Sequence, residues 1–253
     1  MDLSIFQKIY YVVRTGIFAG FTCAWKLALA LFLDRDVMLR PKGYKHPFGV
    51  RGNDSDPIVF FATFIKKEYA LPYQDEIEVI LDLGGNVGYS AIYFAKHYPQ
   101  AKVIVLEPDE RNYAALIANT RPYSNIIPRK SGVWWRKSRL KVSNPDAYSW
   151  EFQFEECRDG GIECVTIGEL LGDCPKGTQI MVKMDIEGAE KEIFEKDPSW
   201  IADAAVIQLE IHGCWRSVFN ALAAYDYAAF LSGENVVVDL KGRVNPPMPP
   251  GTA

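Results

Sequence analysis

Cysteine is scarce in this 253-residue chain: Cys23, Cys157, Cys164, Cys174 and Cys214 make an odd total with no C-x-x-C spacing. That pattern fits neither a zinc site nor a disulfide framework, so free thiols in a reducing, cytoplasmic setting are expected. A basic surplus is missing as well. Lys and Arg number 28 against 32 Asp and Glu, a net charge of -4, so a nucleic-acid partner is not expected. A G-x-G-x-x-G dinucleotide fingerprint and a phosphate loop ending in Gly-Lys-Ser/Thr are both absent, which speaks against a nicotinamide or a nucleoside triphosphate. No internal repeat is visible.

A long uninterrupted apolar run is also lacking. Residues 9–33 are strongly apolar, but Arg14 and Lys26 break them, and no acid stands between Asp2 and Asp34. Lys26 inside any candidate span weakens a transmembrane reading. Trp25-Lys26 likewise interrupts the apolar region before Ala28-Leu29-Ala30, which otherwise resembles a signal-peptide cleavage site. Helices packed on the main domain are the leading expectation, with contact to a membrane surface left open.

The hydrophobic fraction of 49% is enough for a sizeable core. The organisation read from the sequence is an N-terminal apolar helical segment over 1–36, a main domain over 37–243 and a disordered, proline-rich tail over 244–253. Gly and Pro punctuation over 37–50 suggests a hairpin or an irregular extended segment. Asp54-Ser55-Asp56-Pro57 starts a helix over 58–69. From residue 79 strands and helices alternate: strand 79–83, helix 90–97, strand 102–106, helix 110–119, strand 126–130. Three such units predict an α/β fold with a doubly wound, mostly parallel sheet. Residues 140–165 change to short polar–apolar alternation, with Trp150, Phe152 and Phe154 at spacing two, and read as an antiparallel excursion. A helix over 166–171, strands over 180–184 and 204–211, a helix over 216–222 and a last strand near 236–240 complete the pattern.

Three constellations carry chemistry. In V-I-L-D-L-G-G-N-V-G-Y-S-A (79–91), Asp82 stands at the carboxyl end of a buried strand, where open α/β sheets bind ligands. Gly84, Gly85 and Gly88 then let the backbone turn and approach a ligand closely. Asp82 would repel a pyrophosphate but suits a cationic cofactor, and Glu107 ends the next strand in position to accept from ribose hydroxyls. S-adenosylmethionine, with a ribose, a sulfonium and no phosphate, fits. The second constellation is K-M-D-I-E-G-A-E (183–190). Asp185 and Glu187 share a face if the strand extends by one residue and would then point into the cleft; the alternative is that Glu187 and Glu190 are first-turn acids complementing the helix dipole. The third is Glu210-Ile211-His212, where spacing two lets a carboxylate orient an imidazole of near-neutral pKa as a general base. His46, before a proline in a loop, and His97, at the far end of its helix, are weaker candidates. A metal on Asp185 and Glu187 would need a third ligand, and none stands at a convincing spacing, so no metal is expected.

Taken in order, I-L-D-L-G-G-N-V-G-Y-S-A, L-E-P-D, S-G-V, V-K-M-D-I-E-G-A-E and L-E-I-H resemble the FkbM family of S-adenosylmethionine-dependent methyltransferases. The lead-in His46-Pro47, Arg51, Ser55-Asp56 and Glu68-Tyr69 is similar too, so the resemblance covers roughly residues 45–213. It implies a Rossmann-like class I methyltransferase fold and O-methylation of a hydroxyl on a small molecule, a sugar or a secondary metabolite. Carried over, Asp82, Gly84, Gly85, Asn86, Gly88 and Ser90 would hold the methionine end, Glu107 the ribose, and Ser131 and Gly132 would lie near the adenine. Asp185, Glu187 and His212 would face the transferred methyl and the acceptor. Residues 134–163 match nothing in the family pattern, and residues 140–163 with the N-terminal helices are the expected walls over the acceptor. Trp134, Trp135, Tyr148 and Trp150 are candidates to stack on an acceptor ring or to belong to the core. Two other readings stand beside this one: a non-catalytic module that keeps the cofactor fold, disfavoured by the intact Asp185, Glu187, Glu210 and His212, and a nicotinamide oxidoreductase, disfavoured by the missing fingerprint.

Overall fold

The structure is a computed structural model that describes residues 3–71, 76–144 and 154–241. The expected tail over 244–253, and Tyr148, Trp150 and Phe152, lie outside the described residues.

Two helices open the chain. Helix α1 (Ile5–Ala19) starts on a capping box, with the Gln7 N–H donating to Ser4 Oγ and the Gln7 carboxamide accepting from the Ser4 N–H. Gly20, at a φ of 96°, breaks the path before α2 (Phe21–Leu33). Strands β1 (Val37–Leu39) and β2 (Phe48–Val50) then pair antiparallel, as the punctuation suggested. Helix α3 (Asp56–Phe60) starts two residues before the expected boundary and runs on as a π-helical turn, Phe61–Lys66, that stops at Lys67 in the left-handed region. Arg51 ties this corner together by forking onto Asp56 at 2.7 Å and reaching Asn112 at 3.0 Å.

The main sheet has the predicted core of parallel strands: β3 (Val79–Leu83), β4 (Lys102–Leu106), β5 (Ile126–Arg129), β10 (Ile180–Met184) and β11 (Val206–Glu210). Its spatial order is β12-β13-β11-β10-β3-β4-β5, where β12 (Ala228–Ser232) and β13 (Asn235–Asp239) form a hairpin and β13 runs antiparallel to β11. Helices α4 (Tyr89–His97) and α5 (Glu110–Thr120) follow β3 and β4, α7 (Glu190–Lys196) follows β10, and α8 (Trp215–Leu222) follows β11. Strand β12 is absent from the sequence reading because Ala-Ala-Phe-Leu-Ser lacks the β-branched residues that mark a strand. The excursion after β5 is a small sheet of order β6-β9-β7-β8, built from β6 (Gly132–Val133), β7 (Ser138–Val142), β8 (Phe154–Glu156) and β9 (Ile162–Val165). Helix α6 (Ile167–Gly172) follows it, capped by the reciprocal bonds of Thr166 and Glu169.

The chain leaves β3 toward β4 and β5, then returns through β10 to build the other half. The switch point therefore falls between β3 and β10, whose carboxyl ends lie side by side, with Asp82 in register with Lys183.

The N-terminal helices are part of this core. Leu27 and Ala30 are fully buried in one cluster with Phe48, Phe60 and Ile80, and Tyr11 stacks on Phe61 with ring centroids 3.9 Å apart. Among the described residues no helix is long and apolar enough to cross a membrane. Leu27→Ala should cost about 2–5 kcal/mol in a single urea transition. An unchanged midpoint would mean that α2 stands outside the cooperative unit.

Candidate active site

Asp82 is completely buried at the end of β3, where its Oδ2 accepts from Ser90 Oγ at 2.6 Å. Its other oxygen lies 3.3 Å from Lys183 Nζ, on the adjacent strand β10. Lys183, 1% exposed, also donates to the Gly84 carbonyl at 2.8 Å and stands 3.7 Å from Asp185. Burial opposes its charge, but Asp82, Tyr69 and Asp185 outweigh that and hold its pKa above the ordinary lysine value. Lys183 was not singled out from the sequence. Its signal was there: a lysine inside the otherwise apolar strand Ile-Met-Val-Lys-Met can be kept buried only by a paired charge.

Gly84 is required by the fold itself. At a φ of 80°, a Cβ here would stand 1.8 Å from the Asp185 carbonyl oxygen, so the two strand-end turns can pass only over a glycine. The sequence reading gave this glycine to close ligand approach, whereas the neighbour it accommodates is backbone from β10. The N–H groups of Gly84 and Gly85 both donate to the Leu106 carbonyl, which anchors the loop to the end of β4. Beyond them, Glu107 accepts from the Asn86 N–H at 2.8 Å and the Asp109 N–H at 2.9 Å. Burial pushes its pKa up to about 8 against those two bonds.

Asp185 and Glu187 do converge, though not by strand extension. Strand β10 ends at Met184, and the turn that follows places Glu187 and Gly188 at positive φ, 53° and 93°. Glu190 holds that turn: its carboxylate is fully buried and accepts from the N–H groups of Ile186 and Gly188 at 3.0 and 2.8 Å. It lies as well 3.1 Å from His212 Nδ1, a contact the dipole reading did not foresee. His212 Nε2 faces Glu187 at 3.4 Å and Glu210 at 3.5 Å. The near-neutral imidazole expected from the sequence is thus corrected. Hydrogen bonding to Glu190 and Glu210 outweighs burial and raises its pKa to about 11, so His212 is an imidazolium at neutral pH. Two residues apart was enough to foresee Glu210, but Glu187 and Glu190 arrive from another strand. Burial and the charge of Asp185 push Glu187 up to about 8, and burial, opposed by Lys183, pushes Asp185 to about 6.

These groups line one cavity of about 420 Å³. Gly84, Gly85, Asn86, Ser90, Glu107, Ser131, Gly132, Asp185, Glu187 and His212 all contribute to its wall. Asp82 and Gly88 do not: Asp82 lies beneath the loop with Ser90 and Lys183, and Gly88 packs toward Thr120 and Leu116. Val133 and Leu140 bring the small sheet to the cavity, and Tyr11 brings α1, so both expected walls are represented. Trp134 is buried beside Leu140 and Cys164, and Trp135 lies between Arg136 and Lys196, so neither faces the cavity.

A cavity at the switch point, a glycine turn after the first strand of the set, an acid ending the second and an edge strand β13 reversed beside β11 fit a Rossmann-like class I methyltransferase fold. The model for the "Methyltransferase FkbM domain" matches residues 82–228, more than half of the chain. The chain belongs to the FkbM methyltransferase family. It is similar to Methyltransferase 1 of Beauveria bassiana (strain ARSEF 2860), 22% identical over 175 residues that cover 58% of this chain and 70% of that protein. Among solved structures it resembles a Methyltransferase FkbM from Methylobacillus flagellatus KT. There the identity is 18% and the TM-score 0.49, over 71% of this chain and only 47% of the longer one. M. jannaschii TYW2 in complex with AdoMet is similar at 14% identity and a TM-score of 0.45, covering 81% and 84%.

The residues present fit the cofactor of this class. Asn86 Oδ1 is buried in the loop with no partner among the described residues, and an acceptor so placed awaits a donor. Among the described residues Glu107 has only backbone N–H partners, and it keeps acceptor capacity for hydroxyls. Because those hydroxyls need the carboxylate form, affinity for S-adenosylmethionine should rise with pH, up to about tenfold per unit, and level off above pH 8. Glu107→Gln should weaken binding and flatten that profile in calorimetric titrations, and a profile that survives the substitution would remove Glu107 from the ribose site. Lys183→Met leaves the Asp82 carboxylate buried and unpaired and should cost about 3–5 kcal/mol. Adding Asp82→Asn should recover part of that loss in urea unfolding.

Proposed function

We propose that this chain is an S-adenosylmethionine-dependent O-methyltransferase acting on a hydroxyl of a small molecule, a sugar or a secondary metabolite. The observation that carries the reading is the carboxylate–imidazolium cluster of Asp185, Glu187, Glu210 and His212 in the wall of the same cavity as the glycine loop and Glu107. When bound, S-adenosylmethionine supplies a methyl already activated by its sulfonium. The protein's part is therefore alignment, exclusion of water and removal of the hydroxyl proton. Gly84, Gly85, Asn86, Ser90 and Asp185 would hold the methionine end, Glu107 the ribose, and Ser131 and Gly132 the adenine edge. Asp82 acts beneath them by fixing Ser90 and Lys183.

Both nitrogens of His212 already face carboxylates, so its role is to hold Glu187 and Glu190 in place. Glu187, partly exposed on the cavity wall, is the group whose carboxylate form can take the acceptor proton, and since its pKa stands near 8, turnover should rise with pH up to about 8 and then level off. Glu187→Gln should lower turnover by more than about 100-fold with cofactor affinity within threefold, a loss typical of removing a positioned base. His212→Asn should lower it less, through misplacement of Glu187. Turnover of a monosaccharide glycoside or phenol panel that is unchanged in Glu187→Gln would sink this assignment.

One observation favours a second reading of the same cluster. Asp185, Glu187 and His212 each offer a donor atom, and these lie within 4.8 Å of one another. His212 is the third ligand that sequence spacing could not supply, and Glu190 on its Nδ1 is the carboxylate that orients metal-binding histidines. A divalent cation would then lower the hydroxyl pKa. Manganese titration followed by spin resonance tests it: saturable binding lost in Asp185→Asn supports a metal, and turnover indifferent to chelator supports the metal-free reading.

A further inference from the structure

Helix α1 is apolar on two opposite sides. Thr15 and Ala19 are buried on the inner side, as in any packed helix. The outer side repeats Ile5, Ile9, Val13 and Ile17 at intervals of four, a continuous stripe along the helix, and Ile17 is 68% exposed. Phe6 beside that stripe is 80% exposed, and Phe21 and Trp25 extend it onto α2 at 84% and 59%. So many large apolar side chains left exposed on one helical hairpin mark an interaction face rather than scattered surface residues.

Charge says what covers it. Between Asp2 and Asp34 the segment carries Lys8, Arg14 and Lys26 and no acid, a charge of +3 in a chain whose net charge is -4. None of the three forms an ion pair among the described residues. Lys8 and Lys26 donate to the carbonyls of Leu31 and Met38, while Arg14 lies over the Phe18 ring at 4.5 Å. Cations lying among exposed aromatic and aliphatic side chains match a layer with anionic heads above acyl chains. A second protein of ordinary composition would offer no reason for the missing acids. The helices, of 15 and 13 residues, reach about 20 Å each and fall short of a hydrocarbon core of about 30 Å, so they lie along the surface.

We infer that the α1–α2 hairpin docks flat on an anionic lipid surface through Phe6, Ile9, Ile17, Phe21 and Trp25, drawn there by the positive charge that Lys8, Arg14 and Lys26 give the segment. Tyr11, on the same α1, is part of the cavity wall, so docking places the cavity next to the lipid interface. The inference is independent of what the cavity methylates.

Co-sedimentation of the full chain with sucrose-loaded vesicles tests it, comparing phosphatidylcholine alone with phosphatidylcholine containing 30% phosphatidylserine, a composition on the order of a strongly anionic leaflet. Binding at least about tenfold stronger to the anionic vesicles, and weakened by raising salt, is expected. The triple variant F6S/F21S/W25S should lose it at least tenfold while S-adenosylmethionine affinity and the unfolding midpoint stay unchanged, because all three side chains face outward. Absence of vesicle binding by the wild-type chain overturns the inference. So does a wild-type dimer that becomes monomeric in the triple variant without any loss of vesicle binding, since the face would then be an interface between copies.

Discussion

The buried pair of Asp82 and Lys183 is the constraint on which the site rests. Two charges taken out of water at the end of adjacent strands are costly, and stability alone does not explain them. What they fix is relative position. Lys183 reaches at once to Asp82 on β3, to the Gly84 carbonyl in the loop and toward Asp185 just past the end of its own strand, so one ammonium locks three parts of the cavity floor. The glycine turn then passes over the Asp185 backbone at a distance no side chain would tolerate. Loop and acidic turn are built against each other, which makes the cofactor side and the acceptor side of the cavity one mechanical unit.

Above that floor the arrangement is electrostatic. Asp185, Glu187, Glu190 and Glu210 gather around His212, and the imidazolium is what allows so many carboxylates to stand together. A single cation holding several anions is a poised system. Carboxylate pKa values raised toward neutrality make proton transfer from a weak acid feasible, and an excess of negative donors makes a cation welcome. The proposed base and the alternative metal draw on this same surplus of negative charge.

The walls come from elsewhere in the chain. The small sheet after β5 contributes Val133 and Leu140, and the N-terminal helix contributes Tyr11. Both are additions to the parallel core, and both close the cavity beyond the glycine loop. The same α1 that reaches the cavity through Tyr11 presents Ile and Phe to the outside, so the cavity wall and the exposed apolar face share one element.

How much of this was legible in the sequence follows from the range of the interactions. Parallel strands buried on both faces write themselves as apolar runs, and the acid–glycine loop after the first of them is local, so the sheet, the turn and Glu107 could be read from neighbouring residues. The nearness of Glu210 and His212 was readable because they stand two residues apart, although β11 ends at Glu210 and His212 lies just past it. The rest depends on residues that lie 99 or more positions apart along the chain, such as the Lys183 bond to Gly84, or that meet across strands. The protonation state of His212 depends first on Glu190, then on Glu210 and less on Glu187; Glu190 and Glu187 reach it only because β10 and β11 lie side by side and a left-handed turn aims Glu187 back. Sequence alone determined the fold class and the cofactor's chemistry, because both are written in local patterns. Tertiary structure alone decided which charges meet, and in a low-dielectric cavity it is the neighbours of a charge that set its chemistry.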